Sequence, residues 1–434
     1  MAFIVLNPIG NRTNLNPPAF IPEGTTTITA EGTHNIANYE FVKVLIEKGH
    51  ALKIVCKREV TWVLKKDGTL WGCGYNEYGQ QGSGNTTNVS TFTQRMTNVK
   101  DFDCSEDTTW VIKNDGTLWG TGWNYYGQQS TGKSSGSVTS FTQRATNVAK
   151  VACSEGTTWY VKTDGTLWGC GLAYNGQQGN NSTSNNITTF TQRMTNVKDV
   201  AASQYTTWAI KNDGTLWGCG RSSYGENGTS SSYVATFTQR ATNVKEVKCD
   251  DEVTWFLRND GTLWGTGYNI GNQGSGDTSN VKVFTQRLTN VKQFSCCNYT
   301  TSAVKNDGTL WCCGRNNYGQ QGSGNTNDVK TFTQRLTNVA RAEAHYEACW
   351  ALRTDGTLWG TGRNNFGNQG VSNSGANITS YTQRLTNVES FSASAISTWA
   401  IKKDNTLWGC GAGYNGQQGN GSSTNVTVFT KRDT

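Results

Sequence analysis

Proline is absent from most of this sequence, because all four prolines, Pro8, Pro17, Pro18 and Pro22, precede residue 49. A proline cannot donate a hydrogen bond to a sheet ladder. Residues 1–49 are therefore predicted to be an extended arm with a small β element, and residues 50–434 a separate domain. No run of 18 apolar residues occurs, and no charged start is followed by an apolar segment. We expect neither membrane insertion nor a secretory signal peptide.

Residues suited to catalysis are equally scarce. The chain has three histidines, and it lacks a paired-carboxylate, phosphate-loop or nucleophile–base motif. His345 lies beside Tyr346 and Glu347 and is a weak candidate for a site, but a solvated turn histidine is the favoured interpretation. The net charge of +7 is spread along the chain, which argues against nucleic-acid binding. We predict a protein that is not an enzyme and that uses no cofactor or metal.

A hexapeptide, Asp-Gly-Thr-Leu-Trp-Gly, recurs eight times with small changes and a spacing of 47–49 residues. Such a period predicts a repeat architecture. Asp-Gly between alternating runs predicts a type I′ hairpin, in which both central residues have positive φ. Asn405 replaces the glycine once, and Asn tolerates that conformation. The eight aspartates are interpreted as structural turn residues: Asp67, Asp115, Asp164, Asp213, Asp260, Asp307, Asp355 and Asp404.

Each repeat has one plan, which is clearest in the second. Strand A is predicted at 99–104, strand B at 108–113, strand C at 117–122 and strand D at 141–144, with a long polar loop between C and D. No stretch has a sustained helical period. Four strands in each of eight repeats predict an all-β, eight-bladed β-propeller of four-stranded blades. An open solenoid is the alternative, but it would expose two apolar ends.

The 13 cysteines follow the repeat without acting as pairs. Cysteine alternates with alanine at one repeat position and with threonine at another, as in Cys153 against Ala202 and Cys170 against Thr121. A metal ligand or disulfide partner would not tolerate such exchange. We therefore interpret the cysteines as small buried packing residues, with the adjacent pairs at 296–297 and 312–313 as the sole candidates for another role.

The blade residues resemble a known family. Thr108–Gly116, followed by Gly120-Thr121-Gly122-Trp123-Asn124 and Gly127-Gln128-Gln129, is similar to the repeat of the regulator of chromosome condensation family. The resemblance covers residues 50–434 and implies a propeller that binds or regulates other proteins. It also implies the seven blades typical of the family, whereas the eight copies counted here favour eight.

The arm has a resemblance of its own. Residues 24–39, with Thr-Ile-Thr-Ala-x-Gly-Thr, look like a short β element of bacteriophage virion and tail proteins. This resemblance implies a location in a virion, with residues 1–49 contacting other virion proteins.

The repeats disagree at one end of the predicted blades. The residue after the last strand C glycine and the turn between strands A and B vary, while their flanks barely change. Topology puts these positions on one face, which is rich in the Tyr, Trp and Arg typical of binding hot spots. The candidate binding residues are Tyr75, Trp123, Tyr205, Arg221, Asp251, Tyr268, Tyr299, Arg315, Tyr346 and Arg363. Unselected drift is the competing interpretation.

The sequence thus favours a non-enzymatic virion surface protein. In this hypothesis the propeller face binds a host cell-surface polymer or protein, and the arm anchors it to the particle. A head decoration protein and a free propeller that inhibits or regulates another protein remain as alternatives. The arm would discriminate between them, because a free inhibitor does not need it for binding.

Overall fold

The computed structural model describes residues 51–372 and 375–432, and the predictions for residues 1–49 lie outside them. All regular structure in the described residues is β-strand. No helix capable of crossing a membrane occurs there. The chain is built from short alternating segments ended by glycine-containing turns, which favour strands.

The 32 strands, four per blade, are bounded as follows. They are β1 Ala51–Lys57, β2 Val60–Lys65, β3 Leu70–Gly74, β4 Val89–Met96, β5 Val99–Cys104, β6 Thr108–Lys113, β7 Leu118–Trp123, β8 Ser137–Ala145, β9 Val148–Cys153, β10 Thr157–Lys162, β11 Leu167–Gly171, β12 Ile187–Met194, β13 Val197–Ala202, β14 Thr206–Lys211, β15 Leu216–Arg221, β16 Tyr233–Ala241, β17 Val244–Cys249, β18 Val253–Arg258, β19 Leu263–Gly267, β20 Val281–Leu288, β21 Val291–Cys296, β22 Thr300–Lys305, β23 Leu310–Gly314, β24 Val329–Leu336, β25 Val339–Ala344, β26 Ala348–Arg353, β27 Leu358–Gly362, β28 Ile378–Leu385, β29 Val388–Ala393, β30 Ser397–Lys402, β31 Leu407–Gly411 and β32 Val426–Arg432.

Every blade is an antiparallel meander of four consecutive strands, taken here as strands A to D of that blade. The A strands of neighbouring blades contact each other, so they surround the axis of the ring. Blade 8 closes on blade 1, since β1 contacts β29 and β30, and Thr61 Oγ1 donates a hydrogen bond to the Gln417 carbonyl (2.9 Å). The predicted eight-bladed propeller is confirmed. The described strands close it without exchanging a strand between blades.

The Asp-Gly hairpins exist, but their predicted type is wrong. In blade 2 only Gly116 has positive φ (78°), and the loop has three residues because Lys113 N donates to Thr117 O (3.0 Å). Such a loop ends with a left-handed residue, not with two. The Asp115 side chain stabilises the loop instead: its Oδ1 accepts hydrogen bonds from Thr117 N (2.9 Å) and Thr117 Oγ1 (2.6 Å). The Trp119 indole then donates to Thr117 Oγ1 (2.8 Å).

The hairpins also join neighbouring blades. Gly116 O accepts Val148 N, the first amide of the next blade (2.9 Å). Asn147, just before it, takes a left-handed φ of 59°, which Asn accepts more readily than most residues. We call the side of the ring formed by these hairpins and links the hairpin face. Ala51, where residues 1–50 join the propeller, begins strand A and so lies at this face.

Blades are held together by a tryptophan of strand B. The Trp110 ring is fully buried, covers Gly120 of its own blade, and meets Phe190 of the next blade edge-on at 5.6 Å. A Cβ on Gly120 would lie 2.6 Å from the indole, so this glycine makes room for the ring. Matching Trp–Phe pairs join six further interfaces, namely 62–141, 159–237, 208–284, 255–332, 350–429 and 399–92.

The interface between blades 6 and 7 is packed with different side chains. Ser302 replaces the tryptophan, Cys312 replaces the glycine beneath it, and Tyr381 replaces the phenylalanine. Cys312 packs in the buried cluster with Ala342 and Ala351, and its Sγ lies 3.7 Å from the Tyr381 hydroxyl. The larger side chain beneath and the longer one opposite thus occupy space that the indole fills elsewhere.

All thirteen cysteines are free, and each is buried or half-buried. Cys170 Sγ, for example, donates to the Gln128 carbonyl of the preceding blade (3.4 Å), and burial raises the pKa of its thiol. Thr121 at the same repeat position donates to the Gly79 carbonyl (2.7 Å). Cysteine and threonine exchange because each places a donor against the C–D loop of the preceding blade, although they donate to adjacent carbonyls of that loop.

We predict that Gly120→Ala lowers the free energy of unfolding by about 1–3 kcal/mol, the usual cost of overpacking, whereas Cys312→Ala costs less. Ser302→Trp alone should destabilise the chain, and adding Cys312→Gly should restore much of the loss. Chemical denaturation of the four variants measures this. If the second substitution gave no rescue, the interpretation of Cys312 as a replacement for the missing ring would be wrong.

Candidate functional site: the loop face

The opposite side of the ring, here the loop face, carries the eight A–B turns and C–D loops. In blade 2, Gly122 of strand C has a φ of 110° and passes close to the start of strand B, where a Cβ would meet Thr108 Cα at 2.8 Å. The next residue, Trp123, donates its amide to Asp107 O (2.9 Å). This bond uses only backbone atoms, so the side chain at that position is free to vary.

The same bond occurs in every blade. The amides of the variable residues Tyr75, Leu172, Arg221, Tyr268, Arg315, Arg363 and Ala412 donate to the carbonyls of Glu59, Gly156, Tyr205, Glu252, Tyr299, Glu347 and Ile396, at 2.8–3.0 Å. The framework of the loop face is therefore uniform while its side chains differ.

Buried amide side chains fix the C–D loops to the next blade. Gln128 accepts the Tyr126 amide (2.8 Å) and donates to the Glu155 carbonyl of blade 3 (3.0 Å). Gln129 donates to the Thr121 carbonyl (2.8 Å). The Gly-Gln-Gln motif is thus structural: it holds each loop against the following A–B turn.

Five aromatic rings of blades 1 and 2 form a continuous cluster, which we call the aromatic patch: Tyr75, Tyr78, Trp123, Tyr125 and Tyr126. Tyr78 joins the two blades, with centroids 6.0 Å from Tyr75 and 5.5 Å from Trp123. Tyr125 stacks on Trp123 at 5.7 Å and is 58% exposed. The patch is an accessible apolar surface, although its rings support one another.

Blades 4 and 6 carry aromatic rings that are covered by arginines. The Arg221 guanidinium lies 4.0 Å from the Tyr205 ring centroid, and its Nε lies 2.7 Å from buried Glu226. Arg315 lies 4.8 Å from the centroid of Tyr299. Cation–π pairs of this kind stabilise a flat guanidinium over a ring, so these arginines are held in place.

The same sector continues across blades 5 to 7. Tyr268 meets Tyr299 at 6.3 Å, and Tyr299 meets Tyr346 at 4.4 Å. Arg363 lies 5.1 Å from the Tyr318 ring and forms an ion pair with Glu347 at 2.6 Å. This aromatic chain therefore carries its own cations.

The A–B turns are strongly acidic although the whole chain has a net charge of +7. They contain one arginine, Arg58, one histidine, His345, and eight acidic residues: Glu59, Glu106, Asp107, Glu155, Asp250, Asp251, Glu252 and Glu347.

Several of these carboxyls are crowded. Burial and then the neighbouring Glu106 raise the pKa of Asp107 to about 6, and burial and Glu106 raise the pKa of Glu155 to about 7. Burial and then Asp250 raise the pKa of Asp251 to about 6. The inner rim of the loop face thus carries more negative charge than its own cations balance.

The mouth of the central channel is a cavity of about 440 Å³ inside this rim. Burial disfavours the charged form of Lys57, but Asp103 and other acidic groups outweigh it and raise its pKa, so its amine is protonated. Glu343 accepts the Ala393 amide (3.1 Å), and His345 Nε2 lies 3.4 Å from its carboxylate. Glu343 is thus bound by His345 and by the backbone of the next blade.

The structure places all ten candidate binding residues on the loop face, where they fall into two groups. Tyr75 and Trp123 belong to the aromatic patch, and the other eight lie in blades 4 to 7. Sequence reasoning missed Tyr78, Tyr126 and Tyr224, although each precedes a glycine of the C–D loop at a fixed distance after the variable residue. It also missed the acidity of the rim, which was visible as an excess of Asp and Glu in the A–B turns.

Comparison with known proteins agrees with the propeller. Residues 197–226 and 291–320 match the family model of the regulator of chromosome condensation (RCC1) repeat. The resemblance is thereby confirmed for the repeats of blades 4 and 6. No curated protein sequence gives a significant match.

Solved structures match over most of their length. Human WBSCR16 has a TM-score of 0.58 and 17% identity, covering 73% of this chain and 94% of that one. Prp20p from Saccharomyces cerevisiae has a TM-score of 0.57 and 16% identity, covering 78% and 91%. Yeast RCC1 (Prp20) bound to Kap60 has a TM-score of 0.53 and 15% identity, covering 66% and 75%. This likeness establishes the fold.

The raised pKa of Glu155 predicts the sign of a pH effect. Because the folded pKa, about 7, exceeds the unfolded value of about 4.3, the charged carboxylate disfavours folding above pH 7, and protonation relieves this as the pH falls. Glu155→Gln should raise Tm at pH 8 by roughly 1–2 °C, and the difference should shrink towards pH 5. Scanning calorimetry from pH 5 to 8 measures it.

Asp115→Asn is the matched control with the opposite sign. Hydrogen bonds from Thr117 lower the pKa of Asp115, so its charge favours folding. The variant should melt below wild type throughout pH 5–8, and the deficit should fade only below about pH 4. If Glu155→Gln and Asp115→Asn changed Tm at pH 8 by the same amount, the explanation of the raised pKa at the acidic rim would be wrong.

Proposed function

We propose that this chain is a non-enzymatic binding protein whose protein or polymer partner docks on the loop face. The observation that carries the proposal is the contrast within that face. A backbone framework repeated in all eight blades presents aromatic and arginine side chains that differ from blade to blade. Variation confined to the side chains of a fixed framework is what a recognition surface requires.

The first and last described strands leave the loop face clear. Strand A of blade 1 begins at the hairpin face, and strand D of blade 8 ends there.

The similar structures support a role in binding proteins. One describes yeast RCC1 (Prp20) bound to Kap60, and another describes binding properties of Prp20p to Gsp1p and histones. We take from them the general role of the fold, binding or regulation of proteins.

The finer form of the proposal is a bacteriophage virion component that binds the host through the loop face and the particle through residues 1–49. It rests on the sequence resemblance of residues 24–39 alone. Head decoration and free inhibition are its alternatives, as argued from the sequence.

We expect the triple variant Tyr268→Ala, Arg315→Ala, Tyr346→Ala to lose binding to host-type cells, because it removes loop-face anchors while leaving the backbone bonds. Lys66→Ala with Asn114→Ala, on the hairpin face, should keep it. Flow cytometry of labelled protein measures cell binding, and co-sedimentation measures binding to assembled particles. A chain starting at His50 should still bind cells but no longer join particles. If the protein bound particles but not cells, and the triple variant bound particles equally well, the loop-face proposal would be wrong.

A further inference from the structure

Trp123 differs from every other tryptophan of the chain. Seven of the sixteen are the fully buried strand B rings. The eight strand C tryptophans are each covered by a Lys or Arg of their own blade, at 4.1–4.7 Å from the ring. Trp123 is half-buried and packs against Tyr78, Tyr125 and Tyr126, but no cation of the described residues lies over its ring.

The loop face repeats this contrast among its tyrosines. In blades 4, 6 and 7 the residue after the strand C glycine is an arginine, and it covers Tyr205, Tyr299 or Tyr318. In blades 1 and 2 the same position holds Tyr75 and Trp123, and the surrounding residues are aromatic too. The aromatic patch thus has rings at the position where blades 4, 6 and 7 have an arginine.

Acidic residues border the patch on both sides. The Asp107 carbonyl accepts the Trp123 amide, and Glu77 accepts the Tyr75 hydroxyl (3.0 Å). On the blade 3 side, the backbone of Glu155 is bonded to Gln128, which also holds Tyr126. Arg58, the one cation of the A–B turns, lies 3.5 Å from Glu106. The patch therefore combines one exposed ring, Tyr125, and four half-buried rings with neighbouring acidic residues, of which Glu106 is paired with Arg58.

We propose that the aromatic patch receives a lysine or arginine side chain from a segment of a partner protein. The cation would lie over the Trp123 ring, in the position that an internal Lys or Arg takes at the strand C tryptophans, with Asp107 and Glu155 as counter-charges. Both parts favour a cation: the ring face through its quadrupole, and the carboxylates through direct attraction. This inference rests on the proposed function and specifies the chemistry of the partner.

The test uses a capped octalysine peptide and its fully acetylated form, which has nearly the same shape without the charge. Fluorescence anisotropy of the labelled peptides with the full chain at pH 8 should show binding of octalysine and at least tenfold weaker binding of the acetylated form. Trp123→Ala should weaken octalysine binding about tenfold, and Glu155→Gln several-fold. Trp123→Phe, which keeps a ring face, should recover most of the affinity.

Two controls separate this site from general attraction. Tyr233→Ala removes an exposed ring outside the patch, and Glu389→Gln removes an exposed carboxylate at the start of a strand A, on the hairpin side. Both should leave the affinity within twofold of wild type. Equal weakening by Glu389→Gln and Glu155→Gln, or no effect of Trp123→Ala, would overturn the proposal.

The remaining outcomes distinguish this inference from the proposed function. If the protein alone formed a dimer in sedimentation that Trp123→Ala abolished, the occupant would be a second copy and the proposal would be wrong. If octalysine did not bind but cell binding still depended on Tyr268, Arg315 and Tyr346, this inference would fall while the loop face kept its function. Circular dichroism melts of each variant exclude loss of fold as the cause.

Discussion

The packing of one indole ring between blades governs the rest of this structure. The strand B tryptophan needs a glycine beneath it and an aromatic ring of the next blade against its edge, so each interface depends on three repeat positions at once. Large buried rings supply most of the hydrophobic energy available to such short strands. The interface of Ser302, Cys312 and Tyr381 shows the same dependence, because all three positions changed together.

Because this packing lies within and between the strands, the side chains of the loop face are free to vary. The positions bound by packing are the strand residues, the glycines and the buried Gln side chains, whereas the residue after Gly122 bonds the A–B turn through its amide, whatever its side chain. Differences such as Trp123 against Leu172 or Arg221 therefore cost the framework little. Variation is tolerated because the fold uses the backbone there, and recognition can use the side chains.

Much of the fold was predictable because the period repeats eight times. Strands β5 and β6 begin and end as predicted for the second repeat, and the blade count is correct. The type I′ turn was wrong because the Asp115 side chain bonds Thr117, a local preference that the Asp-Gly signal does not distinguish. The candidate residues were found through their variability, but the carboxylates and the uncovered state of Trp123 depend on contacts between neighbouring blades. Those contacts are not visible in one repeat read alone.

Cations over aromatic rings recur on both faces of the ring, and their distribution separates structure from recognition. On the hairpin face every strand C tryptophan has its own Lys or Arg, so that interaction is satisfied within each blade. On the loop face Arg221 and Arg363 are further neutralised by Glu226 and Glu347, which leaves little attraction for an outside charge. Blades 1 and 2 depart from this rule, with rings and carboxylates but no internal cation over them. Loop-face arginines are thus bound to rings within the protein in blades 4, 6 and 7, whereas the Trp123 ring of blade 2 lacks such a partner, and that ring is where a cationic partner would gain most by binding.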